Sequence, residues 1–149
     1  MLIEDVIPGK DQRIFIYHEN RDLNMALRIK REIPNDYYVM WRGRHFVVGK
    51  PINWNITKFL QSCRKMFVVL NSNYKDTLDR FRLALESSRV HVSRITFILL
   101  PNVNISADEI DASYLEVFGT LIKLDPDAII TDAIQQELKA AIAKIEIHY

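Results

Sequence analysis

Five short runs dense in β-branched and aromatic residues recur along the chain, at 13–17, 37–41, 66–70, 95–100 and 120–124. Each is followed by a turn signal and then by a segment of helical period. Near-continuous apolar character suits strands covered on both faces, and strand–helix alternation implies right-handed crossovers onto a parallel sheet. The pattern therefore predicts an α/β fold: a doubly wound, five-stranded parallel sheet flanked by helices.

Spacing places the helices. After Pro51, Ile52, Ile56, Phe59, Leu60 and Cys63 share one face, while Asn55, Lys58 and Gln61 are expected to face away. Residues 21–33 bring Leu23, Ala26, Leu27 and Ile33 together, and 76–87 bring Leu78, Phe81 and Leu85. Ser106 and Glu109 form a capping-box signature before Ile110, Tyr114 and Val117. Asp125 and Pro126 read as the start of a last helix that buries Ile130, Ile134, Leu138, Ala141 and Ile145.

The chain's 149 residues suit one domain, expected over 13–149 after an extension at 1–12. No apolar run approaches the ~18 residues that cross a bilayer, so no direct membrane insertion is expected. The first nine residues carry Glu4 and Asp5 and lack the layout of a signal peptide. The single Cys63 has no internal disulfide partner, which fits a reducing compartment. Charge is divided unevenly: 17 Lys and Arg face 10 Asp and Glu through Arg94, against 3 and 9 from Ile95 onwards. Either neighbouring segments neutralise one another within the fold, or a bipolar surface meets copies of itself. The basic residues are scattered over several helices and a loop, not gathered with aromatics in one stripe, so nucleic acid is not an expected partner.

One connection has no obvious element to join. Arg42-Gly43-Arg44-His45-Phe46-Val47-Val48-Gly49-Lys50 follows the second strand, and its apolar centre has no strand or helix face to occupy. Loops at the carboxyl ends of strands are where doubly wound sheets build sites, so an apolar tip flanked by Arg42, Arg44 and Lys50 is a candidate adhesive surface. Trp54, nearly opposite Ile52, Ile56 and Phe59 on its helix, is either an exposed interface anchor or covered by a neighbouring loop.

Three segments carry a family resemblance. Phe15-Ile16-Tyr17-His18-Glu19-Asn20-Arg21-Asp22 resembles the first box of Toll/interleukin-1 receptor (TIR) domains. Arg44-His45-Phe46-Val47-Val48-Gly49-Lys50 looks like the second box, with His45 where the family usually has Asp and Val48 where many members have Pro. Cys63-Arg64-Lys65-Met66-Phe67-Val68-Val69-Leu70-Asn71-Ser72-Asn73-Tyr74 resembles the third strand and its turn. The resemblance, closest to Toll-like receptor tails and the myeloid differentiation class of Toll-pathway adaptor, covers about residues 13–100. The Phe-Trp pair of the third box is absent, since Trp41 and Trp54 both lie earlier. The resemblance implies a flavodoxin-like fold and a cytoplasmic role in innate-immune signal transduction, with other TIR domains, on self, receptor or adaptor, as partners. It implies a contact loop of Arg44, His45, Phe46, Val47, Val48, Gly49 and Lys50, with Trp54 and the first helix's Arg28, Lys30 and Arg31 as a secondary interface.

Some TIR domains cleave NAD with a glutamate on the third helix, since the positive charge that develops as nicotinamide leaves must be met by a fixed negative one. By the resemblance Arg82 stands at that position and would repel the same charge, while Glu86 lies one turn further on. Catalysis and a bound cofactor are therefore not expected. The four histidines are far apart and only one thiol is present, so no metal-ligand spacing exists. Gly-rich phosphate loops are missing. A phospho-receiver module shares the fold class but needs acidic residues where His18-Glu19 and Asn71 stand. An NAD-cleaving TIR enzyme and a receiver-like α/β binding module are the alternatives to assembly.

Overall fold

The computed structural model describes residues 9–101, 103, 121–124 and 131–143. Strands β1 (Arg13–Tyr17), β2 (Tyr38–Trp41), β3 (Lys65–Leu70), β4 (Ile95–Leu99) and β5 (Leu121–Lys123) form one parallel sheet in the order β2-β1-β3-β4-β5. This is the doubly wound α/β architecture expected from the runs, and the strand ends agree with them to within a residue. The capping-box helix around Ser106 and Glu109, and the start of the last helix at Asp125 and Pro126, lie outside the described residues.

Helices α1 (Leu23–Glu32), α2 (Arg42–His45), α3 (Ile52–Ser62), α4 (Tyr74–Ser88) and α5 (Asp132–Ala143) cover the sheet. Alternate strand residues feed two cores. On one side Phe15, Tyr17, Met66, Val68, Leu70 and Phe97 meet Ile56 and Leu60 of α3 and Leu78, Phe81 and Ala84 of α4. On the other Ile14, Ile16, Phe67, Val69 and Ile98 meet Ala26 and Ile29 of α1 and Ile134, Leu138 and Ala141 of α5. Burying each such Ile, Leu or Phe contributes roughly 1.5–3 kcal/mol. Cys63, just past α3, is fully buried, and desolvation pushes its thiol up to about 12.

Three local details differ from the spacing. A 3-10 turn at Asn20–Asp22 delays α1 to Leu23, whose side chain is more than a third exposed. Helix α4 starts earlier than expected, at Tyr74, because Asn71 Oδ1 accepts the Asn73 backbone N–H and folds the preceding turn. Third, Arg42–His45, expected as loop, closes one helical turn.

In this strand order the chain reverses direction between β1 and β3, and the loops after β1, β2 and β3 gather at the carboxyl ends beside that switch point.

Candidate interaction site

The connection after β2 is built from both ends. At its start His18, the buried residue after β1, donates from Nδ1 to the Glu19 carbonyl (2.9 Å) and accepts the Gly43 backbone N–H at Nε2 (3.1 Å). Both roles at once need a neutral ring, and desolvation, the largest influence, lowers the His18 pKa accordingly. Arg42 Nη1 donates to the Tyr17 hydroxyl and the His18 carbonyl, both at 3.3 Å, with its guanidinium 5.3 Å from the Tyr17 ring centre. At the end of α2, His45 Nδ1 accepts the Trp41 N–H at 3.1 Å, and desolvation lowers its pKa too.

Phe46 then turns inward. Its ring stacks at 5.6 Å on Phe15 and 5.9 Å on Phe59, and sits 6.1 Å from Tyr17. The residue expected at an adhesive tip is instead partly buried against the core, because the helical turn of α2 swings it under the loop.

Beyond Phe46 the chain makes a tight turn in which the Lys50 N–H reaches the Val47 carbonyl at 3.4 Å and Gly49 takes φ +90°. A positive φ at the third turn residue is the type II pattern, which Gly adopts without strain. That pattern puts Val48 at the second position, where Pro is favoured. Val48 is 97% exposed and Val47 46%.

Asn55 holds this turn in place. Helical spacing assigns it to the outer face of α3, yet it is 1% exposed. Its Oδ1 accepts the Val47 N–H at 2.7 Å, and its Nδ2 lies within hydrogen-bond distance of the carbonyls of Val47 (3.3 Å), Lys50 (3.4 Å) and Pro51 (3.2 Å). The loop folds back over the start of α3 and supplies the partners a buried amide needs. Sequence spacing missed it because a wheel reports direction along the helix and not what a loop later covers.

Trp54, next to Asn55, is 40% exposed, with the Lys50 ammonium 5.2 Å from its ring centre. Val47, Val48, Lys50 and Trp54 thus belong to the loop and the first turns of the helix it leads into. Arg28, Lys30 and Arg31 are exposed on α1. Lys30 and Arg44 are brought together over Trp41, at 4.9 and 5.8 Å from its ring centre.

No family model matches this chain, and no curated protein does either.

A crevice of about 520 Å³ opens at the switch point, between the ends of β1 and β3. Its lining includes the basic residues Arg21, Arg42 and Arg80 and the acidic residues Glu19 and Asp76. Arg82 and Glu86 are exposed on α4 and do not line it. Asp76, from the first turn of α4, is the carboxylate of that helix that does. Sequence reasoning passed over Asp76 and Arg80, nearly two turns and about half a turn N-terminal of Arg82; nothing in their helical spacing sets them apart from the other charges of α4. Asn71, considered against a phospho-acceptor Asp, donates from Nδ2 to Asp22 Oδ2 at 2.7 Å. Among the described residues no cluster of metal-ligating side chains occurs, and no helix is long and apolar enough to cross a membrane.

Proposed function

We propose that this chain is a TIR-type signalling domain that acts by assembling with other TIR domains, on the cytoplasmic side as a Toll-like receptor tail or an adaptor, and not by catalysis. The observation that carries the reading is Val48: an apolar side chain 97% exposed at the tip of a turn held by Gly49 and by the buried Asn55. A preorganised apolar tip contributes to binding without the ordering cost of a floppy loop. The turn geometry also fits the second-box resemblance, since Val48-Gly49 occupies the positions that Pro-Gly takes in a type II turn.

The test is light scattering and pull-down of TIR partners by the wild type and by Val48→Asp, which puts a charge into the surface to be desolvated. Association should fall while the melting temperature stays nearly constant, since exposed substitutions change stability by no more than about 0.5 kcal/mol. Undiminished association in Val48→Asp would overturn the reading. If assembly also uses the uneven charge of the chain, it weakens with added salt and on reversing Arg44 and Lys50 to Glu. The acidic counterparts Asp108, Glu109, Asp111 and Glu116 lie outside the described residues.

The Arg-rich crevice with Asp76 favours one alternative, NAD cleavage, because guanidinium groups suit a pyrophosphate and a carboxylate suits an oxocarbenium-like centre. Purified protein incubated with NAD should release no nicotinamide above background. Release that disappears in Asp76→Asn would replace the assembly reading with the enzymatic one.

A further inference from the structure

A second cleft, of about 450 Å³, lies beside the outer strand β2, and none of residues 47–50 is in its lining. Its floor and walls come from Tyr38 and Trp41 of β2, from Ile33 and Pro34 after α1, and from Lys30 and Arg44. Three aromatic rings of 37–41, Tyr37 included, contribute, and His45 meets the Trp41 ring edge-on at 5.0 Å. Among the described residues no carboxylate lines it. Asp36 is exposed on the adjoining turn but outside the lining, and Glu32 Oε2 is engaged by Gln135 of α5 at 2.9 Å.

The two lining cations are already placed. Lys30 and Arg44 rest over the Trp41 ring, and cation–π contacts at exposed sites are worth about 0.5–1 kcal/mol each. Their heads are thereby positioned, with no carboxylate in the lining among the described residues, so a carboxylate that meets them does not have to order them. The strand beneath is an edge: β2 pairs with β1 and with no other strand among the described residues. An open edge next to a cleft accepts an extended chain, whose every second side chain then faces the cleft.

We propose that this cleft docks an extended acidic peptide segment of a partner protein, with carboxylates on Lys30 and Arg44 and an apolar side chain between them seated against Trp41 and the Ile33–Pro34 wall. Charge complementarity selects the occupant, because an apolar or basic segment would leave both cations desolvated without a partner. The cleft shares Lys30 and Arg44 with the surfaces invoked for assembly, but the peptide proposal does not rest on that reading, whose deciding residue, Val48, lies outside the lining.

The test uses the full chain carrying Trp54→Phe, so that Trp41 is the single tryptophan reporter, and a capped, labelled peptide Glu-Ser-Leu-Ser-Glu. Saturable binding, seen as a change in Trp41 emission and a rise in peptide anisotropy, is expected, weakening with salt. Lys30→Glu with Arg44→Glu should reduce the affinity by about tenfold or more. Lys58→Glu with Lys139→Glu, an exposed basic pair on α3 and α5, should leave it unchanged. Equal loss in both double variants would reduce the effect to net charge and overturn the proposal. So would undiminished affinity for the peptide with leucine replaced by serine, since the aromatic seat would then play no part. Absence of saturable binding, with self-association lost in the Lys30/Arg44 variant, would assign the cleft to a second copy of the chain and likewise overturn it.

Discussion

Asn55→Ala removes a side chain that never reaches the surface but holds the one that does. The amide makes a short bond to the Val47 N–H at 2.7 Å and longer ones to three carbonyls between 3.2 and 3.4 Å. A hydrogen bond contributes about 0.5–1.5 kcal/mol net, and a donor stranded in the interior costs about 1–3 kcal/mol. Val47 and its neighbours are exposed enough for water to replace part of the amide, which places the total near the low end of four bonds, at roughly 2–3 kcal/mol. For a domain of this size that lowers the melting temperature by about 4–12 °C. Urea denaturation gives the stability, and amide exchange gives the protection of Val47 and Lys50 directly. Both amides should exchange faster in the variant, and on the assembly function proposed above association should fall even though Asn55 is not itself a contact. A stability loss under about 0.5 kcal/mol with unchanged Val47 protection would refute the claim that this side chain holds the turn.

Phe46→Ala should cost about 2–4 kcal/mol by denaturation, because the ring stacks on Phe15 and Phe59; a loss no larger than that of Val48→Ala would put Phe46 back at the loop tip. Stability should fall as pH is lowered through and below about 6.5: His18 and His45 are held neutral by the fold, so the unfolded chain binds protons first, and His18→Gln with His45→Gln should flatten the dependence measured by urea midpoints. Cys63, buried with its thiol pushed up to about 12, should resist iodoacetamide at pH 8 in the native state and react on unfolding; rapid native labelling would contradict its burial. Gly49→Ala should cost about 1–2 kcal/mol from its φ of +90° alone, since a Cβ there meets nothing within 4 Å.

Much of the fold is written in local period. Arg13–Tyr17 is a strand in the sequence pattern and in the sheet, and Ile56, Leu60, Ile134, Leu138 and Ala141 are buried where spacing puts them, because each register depends only on residues three or four apart. The alternation of such segments leaves few ways to arrange the strands beyond a parallel sheet. The site is different, because its decisive contacts join residues that no period relates. His18 meets Gly43 across the gap from β1 to α2, Lys30 and Arg44 converge on Trp41, and Arg21, Arg42, Asp76 and Arg80 share one crevice. Asn55 and Phe46 are the sharpest cases. By residue type one belongs outside and the other at a sticky tip, and each is reversed by the same loop folding back over α3. A polar side chain can be buried once a loop supplies its hydrogen bonds, and an aromatic one is drawn in once a neighbouring core offers it a face. Both conditions are set by where the crossovers bring the chain, so the sequence alone determined the layers of this protein, and its tertiary structure decided which side chains the surface keeps.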